Sequence, residues 1–123
     1  MQGREGAVAV FVRWPEPGQV MPDLIRRLGA EAAAQLYEAF IGDLIAGMPL
    51  SSFDGYLYAL DHVADFRDRY KGVHVRAQEG PNEGRRLRAC FEELLRHTRG
   101  KRVVPVIVED GTVTIGFNGT CSV

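Results

Sequence analysis

The chain has only two cysteines, Cys90 and Cys121, far apart in sequence, and this scarcity excludes a disulfide-built scaffold. Its three histidines, His62, His74 and His97, stand at no zinc-like spacing from one another or from a cysteine. Neither sign of charge is in excess. Against 15 Lys and Arg there are 16 Asp and Glu, so no electrostatic case exists for a nucleic-acid or membrane partner. The clusters Arg85-Arg86-x-Arg88 and Arg96-His97-x-Arg99-x-Lys101-Arg102 read as a solvated helix face. Long hydrophobic runs are lacking too. The first apolar stretch follows Met1-Gln-Gly-Arg-Glu-Gly and ends at Arg13, too short for a membrane span or a secretory core, so a cytoplasmic location is expected. With no internal repeat and no low-complexity linker, residues 1–123 read as one domain, long enough to bury a core without metal or disulfide.

What is present alternates between strand and helix. Gly6 to Val12 is apolar at every position, which predicts a strand covered on both faces, at the centre of a mainly parallel sheet. A Pro/Gly loop, Arg13 to Val20, follows it, then a short helix over 22–28. Gly29 interrupts, and Ala30 to Met48 is a helix with a core-facing stripe of Ala33, Leu36, Tyr37, Phe40, Ile41, Leu44, Ile45 and Met48. The second strand is Gly55 to Leu60. Asp61 after it either caps the helix His62 to Tyr70 or serves a ligand at the strand's carboxyl end. Val73 to Ala77 alternates apolar and polar residues and predicts a strand near a sheet edge.

Gln78 to Asn82 is a second loop at a strand's carboxyl end, with Asn82 as N-cap of the helix Glu83 to His97. Leu87, Cys90, Phe91, Leu94 and Leu95 share one face of that helix, which makes Cys90 a buried thiol and not a nucleophile. The fourth strand, Lys101 to Val108, contains Pro105, which marks a bulge, an edge or a cis turn. Asp110-Gly111 reads as a hairpin turn before Thr112 to Phe117. Glu109 and Asp110 are adjacent and point to opposite faces of an extended chain, so no metal site is expected there. The expected fold is a three-layer α/β/α, Rossmann-like domain with a mostly parallel sheet, right-handed crossovers and a C-terminal β-hairpin.

The phrase Phe11-Val-Arg-Trp-Pro-Glu-Pro-Gly-Gln-Val20 resembles the opening of the rSAM/selenodomain-associated transferases, relatives of GT-A-type glycosyltransferases and nucleotidyltransferases. Leu28-Gly29, Ala32-Ala33, Leu36-Tyr37, Ala39-Phe40 and Asp43 resemble that family's next helix, and Gln78-Glu-Gly80, Gly84 to Leu87 and Phe91 to Leu94 its later region. About residues 7 to 104 are covered, the first half of a usual member, so 6–104 is the transferase-like part and 105–123 a hairpin and tail. The resemblance implies a compact nucleotide-sugar transferase-like domain that binds a nucleotide or nucleotide sugar at the carboxyl edge of the sheet. Arg13 would meet a phosphate, Pro15, Pro17 and Gly18 would cradle the nucleoside, Gly80, Arg85 and Arg86 would close the opposite wall, and Asp61 would join them. Where the family has Lys-Thr-Arg, this chain has Met21-Pro22-Asp23, which favours a helix start over a phosphate site. The family's acidic fourth-strand motif is replaced as well, so Mg or Mn is implied only with retained nucleotide binding, and catalytic loss is one reading.

Residues 104–117 are similar to the end of glutaredoxin-like proteins, where the bond before the strand proline is cis, and Cys121-Ser122-Val123 is similar to the tail of the Uxx-star selenoproteins. That resemblance implies a redox role for Cys121 without any Cys-x-x-Cys. A third reading is a non-catalytic accessory domain acting as a homo-oligomer.

Overall fold

The computed structural model describes residues 6–99, 102–108 and 113–115. In chain order its elements are β1 (Gly6–Val12), α1 (Pro22–Leu28), α2 (Ala30–Ala46), β2 (Phe53–Ala59), α3 (Val63–Arg69), β3 (His74–Ala77), α4 (Glu83–His97), β4 (Arg102–Val108) and β5 (Val113–Ile115). They build a five-stranded sheet in the order β3-β2-β1-β4-β5. The first four strands of that order are parallel, and β5 runs antiparallel to β4. β1 is central, as its unbroken apolar run requires, and β3 with its wet face is an edge.

Alternation along each strand divides the core between two faces. Val10, Val12, Leu57 and Ala59 meet Ala34, Tyr37 and Ile41 of α2 and Phe66 of α3 on one side. Ala7, Ala9, Phe11, Tyr56 and Tyr58 meet Leu87, Cys90 and Leu94 of α4 on the other. Each large side chain fully withdrawn here contributes about 1.5–3 kcal/mol of transfer free energy. The layers are therefore α2 and α3, sheet, and α4, with α1 packed on α2. Gly6 is obligatory in the β1–β4 register, since a Cβ there would stand 1.9 Å from the Arg102 carbonyl oxygen.

Several expectations are corrected. Asp61 does not cap α3: His62 occupies the N-cap position in the left-handed region, with no side-chain cap. Leu36, assigned to the core stripe, is 46% exposed, whereas Ala33, Ala34, Tyr37 and Ile41 of α2 are buried and Phe40, Leu44, Ile45 and Met48 are partly buried against the same core. Pro105 is neither bulged nor cis; it is buried, pairs in continuous register with Ala9 on one side and faces no described strand on the other, so of the three expectations the edge position is the one that fits. The sheet tolerates it because β5 partners only Val106, Ile107 and Val108 among the described residues, one step past the missing donor. The Asp110-Gly111 turn, Glu109 and Cys121 lie outside the described residues.

Candidate functional site

The parallel strands end together at Val12, Ala59, Ala77 and Val108, and the chain runs from β1 outward to β3 before returning to β4 on the opposite side. That reversal puts the switch-point crevice, the usual ligand position in open α/β sheets, between the carboxyl ends of β1 and β4. Tyr37 reaches this crevice from α2. Its hydroxyl donates to the Val108 carbonyl and accepts the Arg13 backbone N–H at 3.2 Å, so two strand ends are satisfied by one fully buried side chain. On the other flank, Leu60 N donates to Val12 O at 2.9 Å.

Gln78 ties the edge together. Its Nε2 donates to Val12 O at 3.2 Å and to Tyr58 O at 2.9 Å, and its Oε1 accepts from Arg86 Nε at 3.0 Å. One amide thus links β1, β2 and the first turns of α4. Arg86 also reaches the Gly80 carbonyl at 3.4 Å. Gly80 itself has φ 136, and a Cβ there would lie 3.0 Å from Arg86 N, so glycine lets this loop pass tightly over the start of α4. Asn82 caps α4 as expected, accepting from Arg85 N at 2.9 Å, and leaves the Arg85 side chain exposed.

The β1–α1 loop is held at both ends. Trp14 N donates to Asp61 Oδ1 at 2.7 Å. The Trp14 indole stacks on His62 at 5.3 Å, meets Phe66 edge-on at 5.1 Å and carries the Arg69 guanidinium 4.9 Å from its centroid. At the far end Val20 is fully buried in the α2-side core. Between them Gln19 N donates to Glu16 O at 2.9 Å around Pro17 and Gly18, whose φ of 88 is that of the third residue of a type II turn. Met21 then takes a left-handed conformation and Pro22 starts α1, so Met21-Pro22-Asp23 forms a helix start.

The sequence-derived residues fall into three groups. Arg13, Asp61, Gly80 and Arg86 stand at the carboxyl edge with defined contacts. Pro15, Pro17 and Gly18 form the turn above it, and Arg85 stays on the solvent side of α4. The Nε of Arg13 is buried and has no hydrogen-bond partner among the described residues. Sequence reasoning missed Trp14, Tyr37 and Gln78 as organisers of the site. Their polar atoms were visible, but Tyr37 falls in an apolar helix stripe and the other two in loops.

A second hollow of about 310 Å³ opens beside α4, between Arg76, Arg86 and Arg96. Glu93 lines it, accepting from the Tyr58 hydroxyl at 2.6 Å and standing 3.3 Å from Arg76. Cys90 lies at its floor, and burial pushes its thiol up to about 12, so it is a neutral core group. No group of three His, Cys, Asp or Glu side chains among the described residues could hold a metal ion. No described helix is long and apolar enough to cross a membrane.

Layer order, parallel sheet and switch point together define a Rossmann/GT-A-like α/β fold. No family model matches the sequence, and no curated protein matches it. Among solved structures, the chain is similar to a protein of Desulfovibrio desulfuricans G20 provisionally named a nucleotide-diphospho-sugar transferase, with a TM-score of 0.71 and 27% identity. The similarity covers 85% of this chain and 47% of that one, so this chain spans about half the length of the protein it matches. The comparison establishes distant kinship with a GT-A-like nucleotide-sugar transferase fold.

Proposed function

We propose that the chain binds a nucleotide or nucleotide sugar across the carboxyl edge of its sheet, as a compact transferase-like domain. The observation that carries this reading is Arg13. Its guanidinium Nε is buried beside the switch point with an unmet donor among the described residues, a state that an anionic ligand oxygen would relieve. Arg86 supplies a second cation, already oriented by Gln78 and Gly80. In this reading the Pro15, Pro17 and Gly18 turn packs on the nucleoside, Asp61 holds that turn through Trp14, and Arg85 adds long-range attraction from the rim. The two arginines would neutralise charge developing on a departing diphosphate.

The Phe11 to Val20 phrase supports the narrower kinship with the rSAM/selenodomain-associated transferases. Self-association belongs to the separate, non-catalytic reading. Calorimetric or chemical-shift titration with nucleoside diphosphates and their sugars, with and without magnesium, tests the reading. Shifts confined to Arg13–Gly18 and Gly80–Arg86 are expected, and Arg13→Gln should weaken binding about tenfold or more, the size of a lost charge-assisted hydrogen bond. No response at millimolar ligand would overturn it.

A further inference from the structure

Trp14 is the single tryptophan of the chain, and its ring stacks on His62 at an interplanar angle of 26°. His62 is exposed, left-handed at φ 52, and its Nδ1 lies 2.9 Å from Asp65 Oδ2. Three carboxylates act on its charge: Asp65 of α3, Asp61 of the β2–α3 turn and Glu16 of the loop itself. The cation over the same indole, Arg69, is already paired with Glu38 of α2. Stack, hydrogen bond and the Trp14–Asp61 contact thus bring the end of β1 and the start of α3 into one junction.

We propose that His62 is a positioning residue that latches the Arg13–Val20 loop through Trp14, and that the latch tightens when the imidazole is protonated. A protonated ring faces the indole as a cation and satisfies Asp65 as an ion pair. The hydrogen bond to Asp65, then the charges of Asp61, Asp65 and Glu16, hold the His62 pKa above its ordinary value, with partial desolvation opposing them. The positive end of α3 opposes them as well. A raised folded pKa means that the latched form is complete below the ordinary histidine range and is lost as pH rises through the raised value. The inference goes beyond the nucleotide reading and does not depend on it, since its test uses the free protein.

Trp14 emission in the full chain reads the latch directly, because imidazolium quenches indole more strongly than neutral imidazole. Emission is expected to rise with pH in one transition whose midpoint lies above the ordinary histidine value. His62→Asn, which tolerates the left-handed backbone, should abolish that transition, and Asp65→Asn should move its midpoint down. His62→Asn should also lower hydrogen-exchange protection of the Trp14 and Gln19 amides. A flat emission profile in folded protein, a transition that survives His62→Asn, an Asp65→Asn midpoint that does not move, or unchanged amide protection would each overturn the proposal.

Discussion

The backbone N–H of Trp14 donates to Asp61 Oδ1 at 2.7 Å, although 47 positions separate the two residues. The second residues beyond β1 and β2 are thereby fastened to each other, and the loop over the sheet edge is placed by a carboxylate that follows the neighbouring strand. Asp61→Ala leaves a half-buried amide without its partner and should lower stability by about 1–3 kcal/mol. Asp61→Asn keeps an acceptor oxygen and should cost less. Urea midpoints, with the wavelength of Trp14 emission as a local reporter, measure both; equal midpoints for all three proteins would remove the contact from the stability argument.

Tyr37→Phe should be destabilising by about 1–3 kcal/mol with no change in fold, because it strips the Val108 carbonyl and the Arg13 amide of their shared partner at a buried position. Denaturant titration checks the size. Secondary structure by circular dichroism should be unaltered, and an unchanged midpoint would show that water replaces the hydroxyl.

Gly80→Ala should cost more than about 1 kcal/mol, since it combines an unfavourable positive φ with a Cβ driven against the backbone of Arg85 and Arg86. Gly18→Ala carries the strain of φ 88 without any clash, because nothing lies within 4 Å of its Cβ. Thermal denaturation of the pair should therefore rank Gly80→Ala lower, and the reverse order would be inconsistent with the packing described.

Cys90 should be silent towards alkylating reagents in a Cys121→Ser background at neutral pH and react fully in urea. Burial raises its pKa from 9.0 to about 12 in the folded chain. A thiol held neutral in this way contributes stability that is complete below its unfolded pKa. That stability is lost as pH rises from about 9 towards 12, so alkaline unfolding should be delayed in Cys90→Ala relative to its neutral-pH stability. Mass spectrometry after timed labelling, and denaturation at neutral and alkaline pH, provide the readouts.

Much of the architecture could be read from the chain. The apolar run Gly6 to Val12 identified the central strand, Pro22 and Gly29 bracketed α1, and Asn82 placed the start of α4, because each depends on local periodicity or capping. The failures share one physical origin. Asp61 satisfies a cap at its own helix in sequence logic, but the left-handed His62 turns it towards Trp14 instead. Leu36 matches the helix period and still faces solvent, while Tyr37 and Ile41 of the same helix are buried.

The amino-acid order alone determined an α/β alternation, a buried Cys90 and a Pro/Gly loop at the end of the first strand, since those follow from patterns within a few residues. Tertiary structure decided what the loop rests on. Tyr37, Asp61 and Gln78 bond backbone groups that lie 20 to 71 residues from them in the chain, and no local pattern encodes which orphaned backbone groups will meet which side chain once the strands are aligned.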